Sequence, residues 1–401
     1  MRTRLTAIIL AVLMCFGLLA GCQSSELHSY SADSEEKGGT AASSGTSVPK
    51  MDYTACYESY DPNEVMLTVN GMNITWSELF YWYTFDLSNI ESYGGSVSDW
   101  DANCSVASGK TNREYVMDNA LETIKNYCAL ESKAKEMGIT LTADDQKQLQ
   151  TIWDNNVKSY GNGDAELYIE YLQKKQYLSK DLYDKMNEIN LLYNRMRDTM
   201  FGENGEKISQ SDILEKAADM GYIRVKHIFL STKDDTSETL PDEQLAQKKA
   251  TAQNILSELK GISDKAQLEK RFDALISQYG EDPGTDYYPD GDTFISGKGT
   301  MDTAFENAAS ELSEYGLSDV VSSSNGYFII LRLPLSTTAT VEYTDDNAKT
   351  TLGCYVAQNM FSAESDSWTD ESTVEYTDAY KNMDIAKVFE KAVPEAESSG
   401  N

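Results

Sequence analysis

The sequence predicts an α+β chain in which a long helical part is followed by a smaller part where strands bracket helices. Three observations carry this. Val225, His227 and Phe229 alternate with Lys226, Ile228 and Leu230, which is the period-2 pattern of a strand. A second apolar run at residues 325–333 is entered through Gly326 and reads the same way, with two helix patterns and a Gly/Asp/Pro-rich loop between the two strands. Residues 75–220, by contrast, place apolar side chains three and four apart, the spacing of amphipathic helices.

The chain has 401 residues, enough for two or three domains, and 40% hydrophobic residues, enough to bury real cores. Its formal net charge is -31. That excludes nucleic acid as a natural partner, because phosphates would be repelled, and reads most simply as a solvated acidic surface.

At the N-terminus Arg2 and Arg4 precede an apolar run over residues 5–19, followed by Leu19, Ala20, Gly21 and Cys22. A charged start, an apolar stretch too short to span comfortably and small residues at a cleavage site describe a signal peptide. Its small-small-cysteine ending resembles a bacterial lipobox. The resemblance implies removal of residues 1–21, a lipid on Cys22, and a protein held at the extracytoplasmic face of the cell membrane. Residues 22–50, rich in Ser, Gly, Thr and Ala, read as a flexible tether carrying an exposed His28. Cys56, Cys104, Cys128 and Cys354 then remain, with their pairing open. There is no C-x-x-C, and only His28 and His227 supply imidazoles, so no metal site is expected.

Residues 51–221 are read as the helical domain. Residues 64–75 form two short extended segments around an Asn70-Gly71 turn. A helix follows through Phe80, Tyr83 and Leu87, then a Gly/Ser/Asp-rich loop at 93–110. Thr111 and Glu114 make a capping box for a helix that Gly138 ends. Further helices are predicted from Thr142 to about Tyr160 and over 165–176, 180–200 and 209–220. Tyr81, Trp82, Tyr83, Trp153, Tyr168, Tyr171, Tyr177, Tyr183 and Tyr193 either pack these helices together or line an apolar cradle for unfolded segments. In residues 337–401, a helix is expected over 344–363, a polar loop over 364–372, a short helix over 384–392 and disorder after 395.

Residues 222–336 resemble the parvulin family of peptidyl-prolyl isomerases. The likeness rests on the strand from Val225 with His227, on Phe272, Tyr279 and the Gly280-Glu281-Asp282 that follows, and on Gly291-Asp292. It continues through the segment from Gly297 to Met301, Phe305 and Ala309, then Leu312 and Gly316, and ends in the strand after Gly326. With the lipobox, the tether and the helical flank, the whole chain resembles extracytoplasmic foldase lipoproteins of the PrsA/SurA type. This implies a helical chaperone domain made by the N- and C-terminal pieces and an inserted parvulin domain, a small antiparallel sheet surrounded by helices.

The same resemblance implies the site. His227 and Asp282 stand at catalytic positions. Met301 and Phe305, read as four apart on one helical face, suit a proline pocket, with Thr293, Phe294, Ser323 and Phe328 at further substrate positions. Two departures stand out: Phe328 replaces a second family histidine, and Thr293-Phe294 replace a leucine and a glycine of the loop. The alternatives are that Met301 and Phe305 are core, with the pocket the favoured reading, that His227 is purely structural, and that Asp282 is a turn residue before Pro283. The expected partners are unfolded or partly folded secreted proteins with X-Pro bonds, with a homodimer left open; no cofactor is implied. Two functions compete, an isomerase and a non-catalytic chaperone on the same scaffold. A solute-binding lipoprotein would need alternating strands and helices, which residues 75–220 lack.

Overall fold

The computed structural model describes residues 51–94, 97–284, 288–342 and 349–394. The stretches read as a signal peptide and a tether, Cys22 between them, and the end after Pro394 lie outside the described residues. The fold is α+β, in two compact units: one comprises the described residues up to Met196 and from Ser362 onward, the other is Arg197–Phe361.

The first unit is helical around a small sheet. Val65–Val69 and Met72–Thr75 pair antiparallel through a turn in which Asn70 and Gly71 take φ of 50° and 78°. Both positions require the left-handed region, which Asn and Gly tolerate best. The helix Asn112–Glu136 starts at the Thr111/Glu114 capping box, and Ala143–Tyr160 starts at a second box made by Thr142 and Asp145. Trp76, Phe80, Trp82 and Tyr83 of the helix Trp76–Gly94 are fully buried, and Phe80 stacks on Phe389 at 5.4 Å. Trp153, Tyr168 and Tyr183 pack ring to ring at 5.2–6.1 Å. Tyr168 and Tyr183 are buried with the four residues of that first helix, while Trp153 is half-buried.

The C-terminal piece departs from expectation. A hairpin, Thr340–Glu342 with Lys349–Thr351, precedes the helix, which starts at Leu352 and runs to Asp370, through most of the stretch read as a loop. Val374–Tyr376 then pairs antiparallel with Val65–Val69, and Ile385–Phe389 forms the short final helix, capped by Asp384. Cys56, Cys104 and Cys128 are free thiols, and they and Cys354 are each buried.

The second unit holds a four-stranded antiparallel sheet. Tyr222–Ser231 lies between Asp292–Ile295 and Gly326–Leu333, and Val321–Ser322 edges the latter. Ile228, Leu230, Ile329 and Leu331 face the helices Asp242–Lys260 and Lys265–Tyr279 through Leu256, Leu259, Phe272 and Leu275. Ile223, Val225 and Ile330 face the other way, against Phe294, Phe305 and Ala309. A third cluster joins Ile213 and Ala217 of the helix Gln210–Asp219 to Tyr222, Val341, Leu352 and Val356. No helix among the described residues is long and apolar enough to cross a membrane.

Candidate active site

Alternation along the central strand puts Ile223, Val225, His227 and Phe229 on one face. Across the sheet His227 lies opposite Ile330, Phe229 opposite Phe328, and Val225 opposite Asp292. Residues 281–282 are pinned to this strand by the Glu281 N–H, which donates to the Phe229 carbonyl at 2.9 Å, and by the Ser231 N–H, which donates to the Glu281 carboxylate at 2.7 Å. Lys248 pairs with the same carboxylate. The pinning carries Asp282 to His227.

His227 is enclosed by two carboxylates. Its Nε2 lies 2.7 Å from Asp282 Oδ2, in hydrogen-bond geometry, and its Nδ1 lies 3.2 Å from Asp292 Oδ2, off the line of a hydrogen bond. Burial of the ring opposes its charge, but the hydrogen bond to Asp282 and the nearby Asp292 and Asp282 charges outweigh it, raising the pKa from 6.5 to about 9. Asp282 moves the other way: the bond from His227 holds it below the usual 3.8 despite partial burial. At neutral pH the ring is therefore an imidazolium with no lone pair to offer. The Asp282 side chain, 31% exposed against 9% for His227, is the group open to a ligand. Its other oxygen accepts the Gly284 N–H at 2.7 Å, so Asp282 serves the turn and the pair at once.

Apolar side chains complete the face. The Phe328 ring lies 5.9 Å from His227, 4.7 Å from Phe229 and 5.2 Å from Phe305, and Phe305 is 5.3 Å from His227. Met301, half-buried, packs on the same cluster. It is not on the Phe305 helix, as the spacing suggested: that helix is Thr303–Glu311, capped by Asp302, and Met301 precedes the cap. Instead, the buried Glu306 carboxylate holds it. One oxygen accepts the Met301 N–H at 2.9 Å and the other the Gly297 N–H at 2.9 Å and the Gly299 N–H at 3.4 Å.

The structure thus brings together His227, Asp282, Phe294, Met301, Phe305 and Phe328, and does not bring Thr293 or Ser323 to them. Thr293 pairs opposite Arg224, and strand alternation turns it to the other face, where it is buried. The Ser323 hydroxyl accepts the N–H groups of Asn325 at 3.1 Å and Gly326 at 3.3 Å, which closes the turn before the last strand. Phe294 sits in a regular strand, so no glycine backbone is needed there. The left-handed position is Gly291, with φ of 98°, where a Cβ would stand 2.6 Å from the Val225 carbonyl oxygen. Asp292 and Glu306 were not assigned roles from sequence; both were visible as carboxylates inside an otherwise Gly-rich and apolar segment.

Residues 208–332 match the family model described as the PPIC-type PPIase domain. No curated protein sequence matches the chain. Among solved structures, it is similar to PrsA from Bacillus subtilis, at 18% identity over 84% of this chain and 96% of that one, with a TM-score of 0.23. Peptidylprolyl isomerase PrsA from Bacillus cereus gives 19% identity over 82% and 98%, with a TM-score of 0.28. One of the SurA-like chaperones PEB4 and Cj1289 of Campylobacter jejuni gives 17% identity over 76% and 93%, with a TM-score of 0.23. Over residues 208–332, the chain carries a domain of the parvulin, or PPIC-type, peptidyl-prolyl isomerase family.

Proposed function

We propose that this chain is a peptidyl-prolyl cis-trans isomerase that assists the folding of secreted proteins while held by a lipid on Cys22 at the extracytoplasmic face of the cell membrane. The observation that supports catalysis most directly is an anionic, partly open Asp282 bonded to His227, whose ring packs on Phe305 and Phe328 in the apolar cluster that also holds Met301. Rotation about an X-Pro bond has a barrier of about 20 kcal/mol and takes tens of seconds or more uncatalysed. No bond is broken. The enzyme must favour the twisted amide, whose carbonyl oxygen carries less negative charge than in the planar form. A dry cup for the proline ring disfavours the planar, polar form, and a carboxylate near the carbonyl oxygen disfavours it further. His227 acts through Asp282, fixing its rotamer and its charge. The anchoring is supported by the Leu19 to Cys22 lipobox.

An assay of proline peptides that differ in the residue before proline, with the full chain as catalyst, tests this. The expected result is acceleration, a loss of about 10- to 100-fold in kcat/KM for Asp282→Ala, and a raised KM for Met301→Ala. A rate equal to the blank across all peptides would leave the second reading, a non-catalytic chaperone on the same scaffold. That reading is favoured by one observation: Phe328 stands where the resemblance implies a second histidine.

A further inference from the structure

We propose that Asp292 is a positioning residue of this site: by facing Nδ1 of His227 it commits the opposite ring nitrogen to Asp282 and keeps the Asp282 carboxylate fixed against the ring. The inference rests on the isomerase reading for its consequence, but not for its geometry.

The His227 Nε2 is taken by Asp282 at 2.7 Å, so the state of the ring depends on what Nδ1 meets. On the strand Gly326–Leu333, the nearest side chains are Phe328 and Ile330, neither of which accepts a proton. Arg332, farther along that strand, lies opposite Val225. From the helix Thr303–Glu311 come Phe305, which is apolar, and Glu306, whose carboxylate is committed to three backbone N–H groups. Glu281 is held by Ser231 and Lys248. What remains is Asp292, brought in by the edge strand Asp292–Ile295 opposite Val225 and 3.2 Å from Nδ1.

A neutral imidazole donating from Nε2 would turn its Nδ1 lone pair toward the Asp292 carboxylate, which is unfavourable. The charged ring faces a carboxylate on each side. Asp292 therefore selects the imidazolium, and the imidazolium holds Asp282 in its anionic form. In Asp292→Asn the amide can donate to Nδ1, so the neutral ring becomes the satisfied one.

The full chain has two histidines, His28 and His227, so its imidazole resonances can be followed by proton NMR against pH, with His28→Asn identifying the pair. The expected result is that Asp292→Asn lowers the His227 midpoint by at least one pH unit and leaves His28 unmoved, while Asp292→Glu keeps most of the shift. The alkaline limb of kcat/KM for a proline peptide should move down by the same amount, with KM changing less than twofold. An unchanged His227 midpoint in Asp292→Asn, with circular dichroism like the parent, overturns the proposal even if the enzyme is active. A moved midpoint in a protein without isomerase activity upholds the positioning role and removes the catalytic reading instead.

Discussion

Glu306 accepts the Met301 N–H at 2.9 Å, joining the first turn of a helix to the residue just ahead of its cap. With the Gly297 and Gly299 N–H groups on its other oxygen, this 4%-exposed carboxylate organises the loop that forms one wall of the site. Glu306→Ala would leave three donors short of a partner and should cost about 2–4 kcal/mol, at the upper end of charge-assisted bonds. Glu306→Gln keeps one acceptor and should fall between. Urea midpoints of the three proteins are expected in the order parent, Gln, Ala. If Ala unfolds at the parental midpoint, the loop is held by something else.

Gly326 begins the last strand under the ring of Phe229. A Cβ there would lie 2.3 Å from Phe229 Cε2 and 2.4 Å from the Leu230 carbonyl oxygen. A ring can swing away; a ladder carbonyl cannot do so without disturbing the central pairing. Gly326→Ala is therefore expected to destabilise by about 1–3 kcal/mol, the usual cost of overpacking. The same change at Gly297, where nothing lies within 4 Å, meets only the cost of its φ of 80°. Denaturant melts of the two variants should separate, with Gly326→Ala the lower.

The local features of the chain were legible because they are written in short segments. The Thr111/Glu114 box, the helix start at Thr142 and the Asn70-Gly71 turn each satisfy backbone groups within a few residues. The helix Leu352–Asp370 shows where that reading stops. Ser365 and Thr369 are polar, yet 0% and 4% exposed, because both hydroxyls accept from Asn126 Nδ2 at 3.0 Å. A partner some 240 residues away leaves no local periodicity. Asp292 was missed for a related reason: in a Gly/Asp-rich stretch it reads as a turn residue, and only pairing with Val225 makes it part of a strand beside His227.

The His227 and Asp282 pair gives the fold a pH window. His227 is raised from 6.5 to about 9, so its contribution is complete below about 6.5 and is lost as pH rises through 9. Asp282 is depressed below 3.8, so its contribution is present above that value and is lost as pH falls through its folded pKa. With Asp292 on the other side of the ring, the pair therefore stabilises fully between about pH 4 and 6.5, the three groups together by an amount on the order of 3 kcal/mol. Urea midpoints measured from pH 5 to 10 should decline between 6.5 and 9 in the parent and much less in His227→Asn. Parallel curves would show that the ring does not titrate with folding.

Asp86 in the first unit carries the opposite sign. It is 1% exposed; Asn119 donates to one oxygen at 2.5 Å, and the other has no hydrogen-bond partner. Burial pushes its carboxyl well above the ordinary 3.8, with the Asn119 bond offsetting only part of that. An acid whose pKa is raised by folding binds its proton more tightly in the native state, so it lowers stability progressively as pH rises above 3.8 toward its folded value. Asp86→Asn keeps the acceptor for Asn119 and removes the titration, although its new amide must also go without an acceptor. The gain at pH 8 is expected to be about 1–2 kcal/mol, within the usual range for relieving a buried liability. The decisive observation is the trend: the difference in urea midpoint between Asp86→Asn and the parent should shrink toward zero or reverse as pH falls to 4. A difference that stays constant with pH would mean that the carboxyl keeps the same protonation state in the folded and unfolded chains.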